Sequence, residues 1–461
     1  MTAPAVRHRL DRTARTYDDG RVVVGGTPTR MFRLTDAGAR WLDGLVHGDR
    51  GASSPATQDL LDRLVVAGVV HPEPDAAPAP DRPPVSMVVP VRDRPEELAA
   101  LLESVSRSGD RPDEIVVVDD GSVDAAAHRA VCATHGARLE RREVPGGPGA
   151  ARDLGLRSAN HELVVFVDSD VTVTPGWLAG LVGHLADDAV VAVAGRVRSA
   201  VVPGRLGEYE RRASPLDLGD DPGPVGPGRR IGHVPAALFL VRRDAHLAAG
   251  GFDDDLRVGE DVDLVWRLVE SGGVVRYEPA VVVDHRPRPD LGSWCAQRFA
   301  YGTSAAPLDL RHPDALTPWR SSPWSLAVVA AVVLGHPLVA GVLALATSVP
   351  LVRRLPGIPP VDAVRVGLEG HLAALRAAGR AAARVWWPVV LLALVASRRT
   401  RRPALRLLLV GLADRWWRRG DPIPLRDLPL AVLDDLSYGA GVWAGCLRSG
   451  RPGPLLPSVR S

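Results

Sequence analysis

Residues 163–170 read Leu-Val-Val-Phe-Val-Asp-Ser-Asp, an apolar run that ends in two alternate carboxylates. Five consecutive apolar residues, three of them valine, predict a strand buried on both faces. Asp168 and Asp170 follow directly. Alternate carboxylates can approach one hard divalent cation, Mg²⁺ or Mn²⁺, which would bridge to a diphosphate. The stretch therefore predicts a buried strand with a metal and phosphate site at its carboxyl end.

Two earlier apolar runs end in polar residues in the same way. Val85–Pro90 is followed by Arg92, and Ile115–Val118 is followed by Asp119 and Asp120. A lone aspartate at a strand end is often a helix cap or a turn residue, but three such ends at β-α-β intervals make that explanation poor. Ligands of open α/β sheets bind at the carboxyl ends of the strands. We therefore expect Asp119 and Asp120 to accept hydrogen bonds from a base N–H and ribose hydroxyls.

The alternation of short apolar runs with helical patterns defines the fold class. It predicts an α/β domain with a largely parallel sheet. Besides the three strands above, the pattern predicts a helix at Glu96–Ser106 and strands at Val190–Ala194, Leu238–Val241 and Val281–Val283.

Two further segments carry candidate site residues. The small residues of 146–151 allow close backbone approach, and Arg152 after them could meet a phosphate or hold Asp168. Asp261, beside Glu260, starts a helical pattern and is either a helix cap or a general base aimed into the cleft. His285 is either a further metal or diphosphate ligand or a structural histidine bonded to Asp284.

These segments together resemble family 2 glycosyltransferases of the GT-A fold. The matching stretches, in family order, are VSMVVPVRDR (85–94), EIVVVDDGSVD (114–124), GGPGAARDLGL (146–156), VVFVDSDV (164–171) and GFDDDLRVGEDVDLVWRL (251–268). The resemblance covers residues 85–305 and implies metal-dependent, inverting transfer of a sugar from a nucleotide diphosphate sugar, usually UDP-linked.

The resemblance also implies roles for individual residues. It makes Asp261 the base that deprotonates an acceptor hydroxyl. It implies donor binding by Pro90, Arg92, Asp119, Asp120, Arg152 and Asp168, metal binding by Asp168, Asp170 and His285, and acceptor contacts by Glu260, Gln297 and Arg298.

The sequence departs from the family pattern in two places. Asp153 stands where asparagine is commoner. The stretch 294–302 contains Gln297-Arg298 but no Gln-x-x-Arg-Trp motif, so the processive synthesis of long polysaccharides is not expected.

The stretch 298–307, the N-terminal segment and the hydrophobic tail resemble the mycofactocin-type branch of the family. That branch implies glucosylation of a peptide-derived redox cofactor, with β-1,4-linked glucose taken from UDP-glucose. The alternative acceptor is a lipid or cell-envelope glycan. A different class, a non-catalytic scaffold that binds a sugar nucleotide or a peptide, is disfavoured by the intact carboxylates.

Residues 1–75 precede the transferase region and have a pattern of their own. Arg21–Val24 and Met31–Leu34 predict two strands, Thr35-Asp36 begins a helix, and a second helix ends at Gly68. This pattern resembles a winged-helix module of the PqqD type, which binds peptides; the alternative is a cap packed on the next domain. Residues 76–84 are a Pro-rich linker.

Residues 306–461 are predicted to be a helical, membrane-associated region. Residues 321–352 contain no charged residue, which predicts a membrane span or a hairpin bent at His336-Pro337, with a buried helix pair as the alternative. Residues 385–396 form a shorter apolar run. Arg376, Arg380 and Arg384 recur at every fourth position, as in a helix lying on an anionic membrane or in a solvated charged face. The cluster 398–402 adds positive charge.

Composition excludes several other functions. The 461 residues carry a net charge of +2, which is far less positive than is typical of a nucleic-acid-binding protein. That value is the sum of −10 for residues 1–319 and +12 for the rest. All basic residues are arginine, so lysine chemistry is excluded, and three scattered cysteines support neither a zinc site nor disulfides. The start of the chain has no signal-peptide core. We therefore expect a cell-membrane protein with a cytoplasmic catalytic domain.

Overall fold

The computed structural model describes residues 6–48, 54–74, 82–417 and 423–460. It comprises two compact units, Met1–Pro287 and Arg288–Ser461. Most of the predicted linker, residues 76–81, lies outside the described residues.

The N-terminal part of the first unit has its own small core. Its elements are β1 (Arg7–Leu10), β2 (Arg15–Tyr17), β3 (Val22–Gly25), β4 (Arg30–Arg33), α1 (Asp36–Val46), α2 (Pro55–Ala67) and β5 (Val70–Glu73). Strands β2, β3 and β4 form an antiparallel sheet, and β1 pairs with β5. Thr35 caps α1 by accepting the Gly38 N–H at 3.1 Å, and Gly68, with a φ of 74°, ends α2.

The rest of the first unit is built around one large sheet. The strands are β6 (Val85–Val91), β7 (Glu114–Asp120), β8 (Arg138–Arg142), β9 (Leu163–Val167), β10 (Val171–Val173), β11 (Val190–Ser199), β12 (Gly223–Pro224), β13 (Leu238–Arg242) and β14 (Val274–His285). The helices are α3 (Pro95–Arg107), α4 (Ala125–His135), α5 (Pro148–Ser158), α6 (Trp177–Val182), α7 (Arg205–Ala213), α8 (Arg243–Ala248) and α9 (Glu260–Glu270).

The sheet is mixed, which corrects the expectation of a largely parallel one. Its order is β8-β7-β6-β9-β13-β11-β14-β10, with β12 on β14. Strands β6, β7, β8 and β9 are parallel, whereas β13 runs antiparallel to both of its neighbours. The apolar run of β13 predicts a buried strand but carries no information about its direction. The parallel half nevertheless gathers the ends of β6, β7 and β9 at one edge.

Close packing of α5 on the sheet positions two candidate residues. A Cβ on Gly155 would lie 2.3 Å from Cγ1 of Val88, so only glycine allows this approach of helix to strand. The contact holds α5 against β6, and Arg152 and Asp153 in its first two turns are thereby fixed beside the sheet edge.

The second unit is helical. Its helices are α10 (Leu291–Thr303), α11 (Ala305–Arg311), α12 (Pro323–Leu334), α13 (Pro337–Ser348), α14 (Leu351–Arg354), α15 (Pro360–Arg384), α16 (Trp387–Ala396), α17 (Arg398–Trp417) and α18 (Leu428–Ser449). Two short strands, β15 (Arg320–Ser321) and β16 (Ser458–Val459), pair in parallel.

The uncharged segment 321–352 forms two short helices that meet at the predicted bend. Helix α12 ends before Gly335, His336 precedes the first residue of α13, and the two helices pack through small residues such as Ala331 and Ala340. Twelve residues of helix span about 18 Å, less than a ~30 Å hydrocarbon core. In the described part of the chain, one stretch, Pro337–Arg354, is long and apolar enough to cross a membrane. The pair α15 and α16 qualifies only as a span bent by 85°.

The arginine stripe of α15 pairs with carboxylates of neighbouring helices, a role that neither the membrane-facing nor the solvated interpretation included. Arg376 and Arg380 both bind the buried Asp414 of α17, at 3.0 and 2.8 Å. Arg384 binds Asp435 of α18 at 3.0 Å. The arginines that recur at every fourth position therefore join α15 to α17 and α18. Their partner carboxylates are distant in sequence but close in space.

Replacing Asp414 with Asn is expected to destabilise the second unit by about 1.5–3 kcal/mol, the usual cost of losing hydrogen bonds to a charged group. The matched control is Glu369→Gln, which removes an exposed pair with Arg365 within one helix and is expected to cost about 0.3–0.5 kcal/mol. Thermal or urea unfolding measures both. Equal small effects would show that the stripe is a solvated face after all.

Candidate functional site

The loops after β6 and β7 are fastened to each other at the carboxyl edge of the sheet. Asp93, with a φ of 53°, donates its N–H to the Ser122 hydroxyl at 2.8 Å and accepts the Val123 N–H at 2.8 Å. Pro90 is buried in β6, and Arg92 is half exposed beside this junction. These hydrogen bonds fix the two loops to each other at the carboxyl edge of the sheet. Arg92 remains accessible beside them.

Asp119 and Asp120 hold the loops around this edge. Asp119 is wholly buried and accepts Arg141 Nη1 at 2.5 Å and the Ser122 N–H at 2.9 Å. Burial would raise the pKa of Asp119, but the Ser122 and Arg141 hydrogen bonds hold it below its ordinary value. Asp120 accepts the N–H groups of residues 146 and 147 at 2.9 and 2.8 Å. Asp119 is therefore enclosed in the protein, and Asp120 positions the loop of small residues that begins at residue 146.

Arg152 joins the predicted phosphate end of the site to the predicted base end. Its Nη2 donates to Asp168 at 2.6 Å and its Nη1 to Glu260 at 3.1 Å. The guanidinium is buried and lies 5.5 Å from the Phe252 ring centroid. Burial would lower the pKa of Arg152, but the Asp168 and Glu260 carboxylates keep it above its ordinary value. Of the two roles predicted for Arg152, holding Asp168 is the one seen here.

Asp170 lies beside His285, and strand register explains why. Val171 of β10 pairs with His285 at the end of β14. His285 Nε2 is 3.3 Å from Asp170 Oδ1, and Arg94 Nη1 donates to Asp170 Oδ2 at 2.6 Å. Burial would raise the pKa of Asp170, but His285 and Arg94 lower it to about 2, so the carboxylate is ionised at neutral pH. His285 contacts Asp170 instead of the neighbouring Asp284.

Asp261 lies in the first turn of α9 and is partly exposed. Its carboxylate accepts its helix neighbour's N–H, from Val262, at 2.8 Å and the Ala236 N–H at 3.3 Å. A helix N-terminus stabilises a carboxylate. The side chain is thus held at the start of α9 by two backbone N–H groups, one of them from the segment before β13.

Glu260, immediately before Asp261, is buried and has a strongly shifted pKa. Burial and the neighbouring Asp261 carboxylate raise the pKa of Glu260 to about 7, against the opposing charge of Arg152. Beside it, α5 approaches so closely that a Cβ on Gly149 would lie 3.3 Å from Glu260 Cγ. Glu260 is therefore enclosed where α5 approaches α9 and is held by Arg152.

The raised pKa of Glu260 predicts a loss of stability with rising pH. The folded state holds the Glu260 proton more tightly than the unfolded chain does, so stability falls between about pH 4.5 and pH 7, by up to about 3 kcal/mol. In Glu260→Gln this part of the decline is expected to disappear. Melting temperatures of both proteins across this range measure it, and parallel curves would contradict the assignment.

Four residues of the site escaped the sequence reasoning. They are Arg94, Arg141, His246 and Phe252. His246 Nε2 binds Asp153 at 2.7 Å, and the Phe252 N–H donates to the same carboxylate. Asp153, the departure from the family pattern, thus holds the loop that leads to α9. Among these four, only Arg94 could have been found from the sequence, because it belongs to the polar residues that follow β6.

Gln297 and Arg298 lie on α10 of the second unit. Arg298 is buried, pairs with Asp434 of α18 at 3.3 Å and lies 5.0 Å from the Trp294 ring centroid. Its Nη1 donates to Gln297. Both residues therefore make contacts within the helical unit, and the acceptor contacts expected of them stay a prediction.

The side chains near Asp170 could provide only some of the ligands that a divalent cation needs. No group of three His, Cys, Asp or Glu side chains suitable for a metal occurs within the described ranges. Asp170 and His285 lie close enough together to act as two ligands of one cation, whereas Asp168 is engaged by Arg152. Oxygens of a bound diphosphate and water would complete the coordination of Mg²⁺ or Mn²⁺.

Comparisons with known proteins identify the family of the chain. Residues 86–247 match the family model of glycosyl transferase family 2. The pre-mycofactocin glycosyltransferase of Mycobacterium tuberculosis is 37% identical over 98% of this chain and 97% of its own length. The glucosyl-3-phosphoglycerate synthase of Mycolicibacterium paratuberculosis is 34% identical over 34% of this chain and 47% of its own.

The chain belongs to glycosyl transferase family 2, in the group of the pre-mycofactocin glycosyltransferases. Its sheet domain is a GT-A-like glycosyltransferase fold with a mixed sheet. Among solved structures, a mannosyltransferase of Pyrobaculum calidifontis in complex with GDP-Man and Mn²⁺ is 20% identical, with a TM-score of 0.40 and coverage of 75% of this chain and 90% of its own.

Proposed function

We propose that this glycosyltransferase of mycofactocin biosynthesis moves glucose from UDP-glucose to the peptide-derived redox cofactor precursor, forming β-1,4 linkages with inversion. One observation carries the mechanism. Arg152 binds both Asp168, at the predicted diphosphate end, and Glu260, the neighbour of Asp261. The proposed base and the proposed leaving-group site therefore belong to one connected network.

In the proposed reaction, Asp261 takes the proton of an acceptor hydroxyl. The hydroxyl oxygen then bonds to the anomeric carbon from the face opposite the diphosphate. The bond between that carbon and the diphosphate oxygen breaks, and its electron pair leaves with UDP. General-base help of this kind contributes about 10²–10⁴-fold. Displacement from the opposite face converts an α-linked donor into a β-linked product.

The remaining residues organise the donor. Asp170 and His285 would hold a divalent cation, which neutralises charge on the leaving diphosphate when bound. Arg94 fixes Asp170, and Arg152 fixes Asp168. Arg92 is exposed beside the ends of the strands and can bind the nucleotide. These residues orient the leaving group relative to Asp261.

The test is an acceptor assay with purified protein, UDP-glucose and divalent cation. Pre-mycofactocin from cell extract is expected to gain hexose units, which mass spectrometry detects; UDP-galactose in place of UDP-glucose is the donor control. Incorporation into the lipid extract alone would contradict the proposed acceptor and favour a lipid or envelope glycan.

For residues 1–75 we propose a PqqD-like role in recognising the acceptor. Their deletion is expected to raise KM for the peptide-derived acceptor while KM for UDP-glucose stays unchanged. An unchanged acceptor KM would make these residues a structural cap.

We further propose that segment 321–352 attaches the protein to the inner face of the cell membrane. Leu338, Val342 and Leu345 expose 85%, 68% and 51% of their surface on α13, a contiguous apolar face of the kind that binds membranes. The basic cluster 398–402 is exposed as well. Sedimentation with anionic vesicles tests this. Leu338→Glu is expected to weaken it and Leu310→Glu, exposed on α11, to leave it unchanged.

A further inference from the structure

A large cleft separates the N-terminal part of the first unit from the sheet domain. Its volume is about 1610 Å³, larger than the 300–1,000 Å³ of typical ligand pockets. Residues of β1 and α2, such as His8 and Leu61, line one side. The first residues of two sheet strands, Leu163 and Val190, line the other.

The cleft lies at the opposite edge of the sheet from the candidate catalytic residues. Leu163 is the first residue of β9, and Asp168 follows its last. Five residues of extended strand separate the two edges by about 16 Å. The cleft is therefore a separate feature and not the donor site.

The wall of this cleft contains a buried arginine that no described residue pairs with. Arg276 of β14 is 1% exposed, and within the described chain none of its three guanidinium nitrogens has a hydrogen-bond partner. Buried polar groups are almost always satisfied, and an unpaired buried charge is especially costly. A guanidinium kept in this position indicates that a group other than the described residues supplies the acceptor oxygens.

No carboxylate of the described residues bonds to Arg276, although Glu73, Glu162 and Asp187 also line the cleft. Burial is the main cause that lowers the pKa of Arg276 to about 10, so it remains charged at neutral pH. Glu278 and Asp187 oppose this shift, but neither bonds to Arg276, and Glu278 is engaged by His184 at 2.9 Å. His184 and His8 also line the cleft, each with a buried Nδ1 that has no partner in the described structure.

Apolar side chains make up much of the remaining wall, among them Leu61, Val65, Val182 and Leu185. We propose that the cleft binds a small amphipathic molecule whose oxyanion, a carboxylate or a phosphate, accepts hydrogen bonds from Arg276. The apolar part of the ligand then lies against α2 and the start of β9. Planar guanidinium groups bind both oxyanions through paired hydrogen bonds.

The test uses the full chain with octanoate and octyl phosphate as probes and octanol and inorganic phosphate as controls. Either amphipathic anion is expected to raise Tm and to bind in calorimetry; octanoate alone assigns a carboxylate, and octyl phosphate alone a phosphate. Octanol should have no effect. Equal effects of inorganic phosphate and octyl phosphate would contradict an amphipathic ligand, and no effect of either probe would overturn the proposal.

Two variants make the assignment specific. Arg276→Met is expected to raise the Tm of the ligand-free protein, because an unpaired buried charge is removed, and to weaken probe binding at least tenfold. Leu61→Trp fills the cleft with Arg276 intact and should also weaken binding. Arg107→Met, which removes an exposed pair with Glu103, should change neither quantity. A lower Tm in Arg276→Met together with retained probe binding would overturn the proposal.

Discussion

Asp261→Asn is expected to lower kcat by about 10²–10⁴-fold while leaving the Kd for UDP unchanged. The amide has the shape of the carboxylate and can still accept the Val262 N–H, so the start of α9 should keep its structure. It cannot take a proton from the acceptor hydroxyl. Steady-state kinetics with excess acceptor measure kcat, and calorimetry with UDP measures donor binding.

The matched control for this variant is Asp254→Asn. Asp254 is an exposed carboxylate in the loop that leads to α9, and its loss should leave kcat within twofold of the parent protein. Near-parental turnover of Asp261→Asn would remove Asp261 as the base. A parallel loss of UDP binding would instead indicate that the variant disturbs the donor site.

Removal of divalent cation by a chelator is expected to stop transfer, and Asp170→Asn should reduce kcat/KM by about 10²-fold or more. A bound cation contributes several kcal/mol to the stabilisation of charge on the leaving group, and each 1.36 kcal/mol corresponds to tenfold in rate. Asp170 is the ionised carboxylate beside His285. The variant should also need more cation for half-maximal activity.

Asp284→Asn is the control for the cation-binding residues. Asp284 neighbours His285 on β14, but its carboxylate pairs with Arg198 on a partly exposed surface. Its activity and cation requirement should stay unchanged. Full turnover in the presence of chelator would contradict the role given to Asp170 and His285.

Sequence patterns were sufficient to predict a strand where burial alone determines the pattern of apolar residues. The predicted strand at residues 163–167 matches β9 at both ends, because a strand buried on both faces is a continuous apolar run. The direction of β13 could not be read in this way. Its neighbours in the sheet are chosen by tertiary packing, and an apolar run looks the same in either direction.

For the site, local motifs were predictable and long-range partners were not. Asp168 and Asp170 stand out because they follow an apolar run. By contrast, the ion pairs of Arg380 with Asp414 and of Arg298 with Asp434 join distant parts of the chain. A local sequence pattern cannot show such partners, so the arginine stripe was compatible with a membrane-facing helix and with a solvated face.

The contact between Asp170 and His285 is set by the ladder between β10 and β14. A side chain's neighbour across a ladder depends on backbone pairing and not on the length of chain that joins the strands. Residues 174–273 join the two strands, and the length of this connection therefore does not by itself set the spacing of the pair. For protein engineers, it follows that a change in the connecting chain should be judged by whether it leaves the pairing of β10 with β14 intact.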